Sequence, residues 1–336
     1  MRSENILEVR DLSVGFPVRR GLLRAANRVS LTLPRGKTVG IVGESGCGKS
    51  VVSQAIMRLL PPYAQVTGSV RLMSGDSAYD VLGYPENSRE LMTIRGAKIG
   101  MIFQEPMSAL FPMRKVGAQM AEAIRLHVTK DRREARRIGI DMLGRVGIKE
   151  PDKRFDEYPH QFSGGMCQRI LIAMALSLNP EILIADEPTT ALDVTVQAQV
   201  LELIRAIQRQ NNMSILFISH DIGVIVEMAD VVLVMYAGQL VERAPVRELF
   251  HNPLHPYTRA LIQSIIPMDG ARRKRLFTIE GTVPVPVGMD DQCGFYSRCP
   301  QAIPGLCDRR MPPPFATGEH EVRCFLHGGR EEGTNG

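Results

Sequence analysis

Eight consecutive residues, Gly43-Glu44-Ser45-Gly46-Cys47-Gly48-Lys49-Ser50, have the types and spacing of a phosphate-binding loop. Its glycines let successive backbone N–H groups turn toward phosphate oxygens, and a helix starting there adds partial positive charge. Lys49 has the length to reach β- and γ-phosphates, and the Ser50 hydroxyl is a hard oxygen ligand for Mg²⁺. A chance glycine-rich turn is the rival reading, and the context disfavours it. An apolar run, Thr38-Val39-Gly40-Ile41-Val42, precedes the loop, and apolar residues at helical spacing follow from Lys49 to Leu60. A second run, Ile182 to Ala185, ends in Asp186 and is followed by Glu187. An acidic residue closing a buried strand can sit beside Mg²⁺, and the next one can act as general base on an attacking water. Plain surface charge is the alternative for such a pair.

Cysteine gives a further cluster. Of Cys47, Cys167, Cys293, Cys299, Cys307 and Cys324, four fall in the last 44 residues. Their separations of 6, 8 and 17 residues lack the paired C-x-x-C spacing of zinc ribbons. Four thiolates suit either tetrahedral zinc or an iron–sulfur cluster. Disulfides or free structural thiols are the other readings, the first disfavoured because the start, Met1 to Leu12, carries five charges and does not read as an export signal.

These groups need elements to position them. Strand-like segments are expected at Ile6 to Val14, Val29 to Leu33, Thr38 to Val42, Ile182 to Ala185, Ser214 to Ile218 and Val231 to Met235. Helical spacing is expected from Val194 to Gln208 and over most of Arg89 to Leu178. Strands alternating with helices imply an α/β core with a mostly parallel sheet, interrupted by a helical insertion. The run Arg132, Arg133, Arg136 and Arg137 reads as the solvated face of a helix. Beyond Pro245, frequent prolines imply a small appended region of loops and short strands. The 336 residues carry 41 basic and 36 acidic side chains, a formal +5, which is well short of a dedicated nucleic-acid binder. The basic cluster Arg272-Arg273-Lys274-Arg275 is read as a solvated loop, and no apolar run approaches the ~18 residues of a membrane span.

Further short motifs stand in a fixed order along the chain. Gln104 follows the expected strand Ile99 to Phe103, and Phe162-Ser163-Gly164-Gly165-Met166 precedes Gln168-Arg169. Ala191-Leu192-Asp193 comes next, and His220 follows Ile218-Ser219. With Gly43 to Ser50 and Asp186-Glu187, this series resembles the nucleotide-binding subunits of ABC transporters. The resemblance implies a P-loop NTPase fold of the ABC type: a RecA-like core with an antiparallel β subdomain and a helical subdomain. It implies ATP and Mg²⁺ as ligands, bound by Phe16, Gly43, Glu44, Ser45, Gly46, Cys47, Gly48, Lys49, Ser50, Val51, Gln104 and Asp186. Phe16 would stack on adenine, with ordinary core packing as its alternative. Ser50, Gln104 and Asp186 would hold Mg²⁺, while Glu187, His220, Lys49 and Gln104 would carry the hydrolysis. Ser163, Gly164, Gly165 and Asp193 would serve the nucleotide of a second, head-to-tail subunit.

Phe250-His251-Asn252-Pro253-Leu254-His255-Pro256-Tyr257-Thr258 and the cysteine-bearing tail narrow the resemblance to the ATP-binding subunits of oligopeptide, dipeptide and nickel importers. That resemblance covers about Ile6 to His327 and tips the four cysteines toward a [4Fe–4S] cluster, with Zn²⁺ as the alternative. It implies two membrane-spanning permease subunits, a second ATP-binding subunit and an extracytoplasmic solute-binding protein as partners, and no nucleic acid. The place would be the cytoplasmic face of the inner membrane, and the solute a peptide, with nickel or another small solute as the alternative. A non-transport ATPase acting on nucleic acid is the rival of a different class, disfavoured by the absence of coiled-coil arms or strong basic segments. The expected division is a nucleotide-binding domain over 1–245, its helical subdomain at about 89–180, an extension over 246–327 and a disordered tail over 328–336. Three positions depart from the family's pattern: Met166 replaces the glutamine common at the end of the signature, as is usual in this subfamily; Cys167 stands where arginine is expected, which puts a surface or signature-loop contact in question; and Phe111 follows Leu110 where asparagine is usual, near the expected permease contact.

Overall fold

A computed structural model of the chain describes residues 4–19, 21–264, 279, 281–288 and 292–328. The basic cluster Arg272 to Arg275 and the tail beyond Gly328 lie outside the described residues. The strands are β1 (Asn5–Val18), β2 (Gly21–Pro34), β3 (Thr38–Val42), β4 (Gln65–Ser74), β5 (Ser77–Asp80), β6 (Ile99–Ile102), β7 (Ile182–Asp186), β8 (Ser214–Ser219), β9 (Val231–Tyr236), β10 (Gln239–Pro245), β11 (Phe315–Thr317) and β12 (His320–Val322). The helices are α1 (Lys49–Ile56), α2 (Arg89–Ile94), α3 (Pro106–Ala109), α4 (Val116–His127), α5 (Arg132–Arg145), α6 (Pro151–Arg154), α7 (Gly164–Ser177), α8 (Val194–Asn211), α9 (Ile222–Met228), α10 (Val246–His251) and α11 (Pro256–Gln263). Among the described residues no helix is long and apolar enough to cross a membrane.

The chain forms two compact units. One comprises Met1–Glu8, Thr32–Thr38 and Arg71–Ile218. Here β6, β7 and β8 run parallel, with Ile99 opposite Ile182 and Ala185 opposite Phe217. Every residue of β7 and β8 is buried, as continuous apolar runs in a parallel sheet require. The helical insertion packs on Phe155, whose ring fills the space left by two glycines; a Cβ at Gly117 would stand 2.0 Å from that ring. The arginine run is largely a solvated face: Arg137 pairs with Glu134, and Arg136 reaches Asp156 while lying over Phe155.

The other unit comprises Val9–Leu31, Val39–Val70 and Ser219–Gly336. In it β3 runs parallel to β9, with Val42 opposite Val234. β9 turns back through Ala237-Gly238 into antiparallel β10, which carries a bulge between Leu240 and Glu242. The proline-rich region after Pro245 returns to this sheet, since β12 pairs with β10 and β11 with β12. One buried carboxylate explains the return. Glu242 accepts the Leu254 and His255 amides at 2.7 and 2.9 Å and His320 Nε2–H at 2.7 Å. Burying a carboxylate is tolerable only with such partners. Helix α1 is shorter than the apolar spacing implied, ending at Ile56 rather than Leu60. Arg58, at φ 51, breaks the helical backbone before the prolines are reached.

Candidate active-site residues

The phosphate-loop sequence lies between β3 and α1, and its conformation explains its glycines. Gly46 and Gly48 have φ of 80 and 102, a region that side chains rarely adopt. At Gly48 a Cβ would also stand 2.0 Å from the Ala25 carbonyl oxygen. As the residue before α1, Gly48 brings no capping side chain to compete for the first-turn amides. Lys49 is buried and curls over the loop, its Nζ donating to the carbonyls of Gly43 at 2.8 Å and Glu44 at 3.1 Å. Ser45 and Gly46 are exposed at the turn, while Ser50 and Val51 follow half-buried in the first turn of α1. Cys47 is buried and its thiol is pushed up by that burial, so it stays protonated. Gly238 N–H donates to the Cys47 carbonyl at 2.9 Å, tying the loop to the turn after β9. Phe16 is half-buried, edge-on to Tyr63, whose ring is 66% exposed. His220 follows β8 directly and is exposed.

In the first unit, the carboxyl ends of β6 and β7 bring three predicted residues to one edge. Ile102 lies opposite Ala185, so Gln104 leaves the sheet beside Asp186 and Glu187. Gln104 is exposed; Asp186 and Glu187 are 2% and 6% exposed. Glu187 adopts φ 49, unusual for a side chain with a Cβ. Its N–H donates to the Ile218 carbonyl at 2.9 Å, and Thr190 Oγ1 donates to its carboxylate at 3.0 Å. Backbone and carboxylate are therefore both fixed. Ser163 caps α7, accepting the Met166 N–H at 3.3 Å. Gly164 is open, and a Cβ on Gly165 would stand 3.0 Å from the Ala191 carbonyl oxygen, so these glycines let the turn approach the next motif. Asp193 is exposed and caps α8 through the Val196 N–H at 3.0 Å.

The two questioned positions are placed by burial. Cys167 is fully buried, donating weakly to the Pro159 carbonyl, so a surface contact is not what this position offers. Leu110 is 2% exposed and belongs to the core, whereas Met107, Phe111 and Met113, in the segment that follows Gln104, are exposed. Gln119 pins that segment by accepting the Phe111 N–H and donating to the Phe111 and Arg114 carbonyls.

Cys293, Cys299, Cys307 and Cys324 all line one small cavity, together with His255, Phe295 and Leu326. All four are unpaired thiols. Burial first, and then the neighbouring thiols, push Cys293 up to about 12 and raise Cys299 and Cys324. Yet among the described residues no three His, Cys, Asp or Glu side chains are arranged to hold a single metal ion. A metal site at these cysteines is therefore not shown, although the four thiols share one cavity.

Sequence reasoning missed the groups that hold the phosphate loop from behind. Tyr257 accepts the Glu44 N–H at 2.9 Å, and Arg298 grips the Glu44 carboxylate with two N–H groups at 2.7 and 3.2 Å. These partners lie 213 and 254 residues away, so no local spacing announces them.

Residues 26–190 match the family model described as ABC transporter, and residues 241–307 match that described as oligopeptide/dipeptide transporter, C-terminal region. The dipeptide transport ATP-binding protein DppD of Bacillus subtilis (strain 168) is 46% identical, covering 98% of this chain and 97% of that protein. The oligopeptide transport ATP-binding protein OppD of the same organism is 46% identical over 97% and 90% of the two chains. Among solved structures, a dimeric ATP-binding cassette in a post-hydrolysis state, bound to ADP and Pi, superposes with a TM-score of 0.64 at 25% identity, covering 72% of this chain and 99% of that one. The cassette of the cbiONQ transporter complex from Clostridium perfringens gives 0.58 at 27% identity, over 74% and 92%. Phosphate loop, buried acidic strand end, capped glycine turn and near full-length relatives agree: the chain is an ATPase of the ABC transporter family, belonging to its oligopeptide/dipeptide type of ATP-binding subunit.

Proposed function

We propose that this chain hydrolyses ATP to drive uptake of di- or oligopeptides, working as a peripheral subunit at the cytoplasmic face of the inner membrane. The observation that carries the reading is the Gly43–Ser50 loop, whose backbone is shaped by left-handed glycines around the Lys49 ammonium. In this reading Lys49 moves from the Gly43 and Glu44 carbonyls to the β- and γ-phosphates, and Phe16 stacks on adenine. Gly43 to Val51 supply backbone N–H groups. Ser50, Asp186 and Gln104 offer the hard oxygen donors that Mg²⁺ takes, and bound Mg²⁺ would neutralise phosphate charge. Glu187 accepts a proton from the attacking water, and His220 keeps that water and the γ-phosphate in line. Ser163, Gly164, Gly165 and Asp193 face the nucleotide of a second ATP-binding subunit, identical or related.

The remaining partners are two permease subunits and an extracytoplasmic solute-binding protein. The exposed side chains of Met107, Phe111 and Met113, in the segment after Gln104, suit a cytoplasmic segment of the permease. Residues 1–245 then act as the nucleotide-binding domain, with the helical part at about 89–180, and 246–327 as its extension. For the four cysteines the finer reading is a [4Fe–4S] cluster, because four soft sulfur donors line one cavity. Zn²⁺ held by the same four cysteines is the alternative. A cluster would supply cohesion to a lobe with little regular structure.

Affinity purification of the full chain from membranes tests the reading. Polytopic membrane subunits should co-purify, and ATP hydrolysis should be faster in that complex than in the free chain. Recovery with RNA or DNA and no membrane subunit would refute it. Iron analysis of an anaerobic preparation should give about four irons per chain; one zinc without iron would refute the cluster.

A further inference from the structure

We propose that Arg298 is a positioning residue for the phosphate loop, so that the packing of the C-terminal lobe sets the affinity for ATP. The inference rests on the nucleotide-site reading above and concerns residues of a single unit.

Glu44, second residue of the loop, is held at three points. Its carbonyl accepts Lys49 Nζ at 3.1 Å, its N–H donates to Tyr257 Oη at 2.9 Å, and its carboxylate takes two N–H groups of Arg298. The Arg298 side chain is 6% exposed against 26% for Glu44, so the guanidinium is the buried, fixed partner. It is fixed by the lobe: Arg298 also donates to Tyr236 Oη at 3.1 Å and to the carbonyls of Ile279 and Gly281 at 3.1 and 3.2 Å. Its own N–H bonds the Phe295 carbonyl, and Cys299 follows it in sequence. Phe295 packs on Tyr236 at 5.1 Å and on Tyr257 at 5.4 Å, so both grips on Glu44 share one aromatic cluster.

The chemistry gives this arrangement a consequence for binding. A carboxylate within a loop that must receive polyphosphate repels it unless neutralised, and the two-pronged guanidinium neutralises it with fixed geometry. The same two grips order the Glu44 segment before ATP arrives, which removes part of the ordering penalty on binding. If the lobe loosens, the carboxylate is freed and the loop loses its anchor together.

The test is ATP binding by the full chain, with amide hydrogen exchange over residues 43–50 as a second readout. Arg298→Met keeps the side-chain length but removes the grip. It should weaken Mg–ATP binding about tenfold, in line with loss of a charge-assisted pair, and speed exchange in the loop. Arg298→Lys, keeping the charge without the fork, should fall between. Arg310→Met, an exposed change in the same lobe, should match wild type. Should Arg298→Met disrupt the lobe, Glu44→Gln cuts the same pair from the loop side and should speed exchange at residues 296–299. Wild-type affinity and loop exchange in a folded Arg298→Met chain, or unchanged exchange at 296–299 in Glu44→Gln, would overturn the proposal. Failure of the wild-type chain to bind ATP would instead refute the nucleotide-site reading itself.

Discussion

Replacing Glu187 by glutamine separates binding from turnover, and the structure sets the size of each effect. The backbone of Glu187 is held by its N–H to the Ile218 carbonyl, which the substitution leaves intact. Thr190 Oγ1 donates to Oε2 at 3.0 Å, and a glutamine carbonyl oxygen can accept the same bond. Stability should therefore change by less than about 1 kcal/mol, the scale of one hydrogen bond. What disappears is the basic oxygen. Loss of a general base lowers turnover by roughly 10²- to 10⁴-fold, a barrier increase of about 3–5 kcal/mol. The assay is phosphate release by the assembled complex at saturating ATP, beside direct measurement of ATP affinity. ATP should bind as in wild type and remain unhydrolysed. Glu187→Ala should lose turnover similarly and some stability as well, because the Thr190 bond goes too. Wild-type hydrolysis by Glu187→Gln would show that another group is the base.

Further outcomes follow from single observations. Gly48→Ala forces a Cβ to within 2.0 Å of the Ala25 carbonyl oxygen at φ 102, so ATP affinity should fall more than tenfold in a binding titration, with about 1–2 kcal/mol lost to the left-handed backbone alone. Leu110→Ala should destabilise the chain by about 2–5 kcal/mol in urea unfolding, since Leu110 is core. The exposed Phe111→Ala should leave stability and ATP affinity unchanged while lowering transport. His255 is buried near His327 and held at about 3, below its ordinary 6.5, and its neutral Nδ1 accepts the Tyr257 N–H. The unfolded chain therefore binds the extra proton, and stability falls as pH drops below about 6.5, by about 2 kcal/mol at pH 5. His255→Asn, which can still cap α11, should remove that acid loss in denaturant midpoints compared at pH 7.5 and 5.

Much of the candidate site was legible because its residues are local in sequence. Thr38 to Val42 and Ile182 to Ala185 are short, mostly apolar runs with every residue buried, and the candidate groups come directly after them. Ser163 and Asp193 each cap a helix, so the chemistry of helix starts coincides with these motifs. What escaped depends on distance or on side. β10 and β12 contain charged residues, and Glu242 reads as a surface acid until its partners Leu254, His255 and His320 are brought to it. Leu110 and Phe111 are adjacent apolar residues in a short irregular segment, where no period tells which one turns inward. The grip of Arg298 and Tyr257 on Glu44 joins residues more than 200 positions apart. Nor could spacing alone show that the four cysteines share one cavity.

The central claim is that ATP hydrolysis by this chain drives peptide uptake. Its most direct test is uptake of labelled di- and oligopeptides, beside labelled nickel, in cells lacking the chain and in the same cells carrying wild type or Glu187→Gln. Wild type should restore peptide accumulation and Glu187→Gln should not, with nickel uptake unchanged throughout. Equal peptide accumulation with and without the chain, or full restoration by Glu187→Gln, would contradict it.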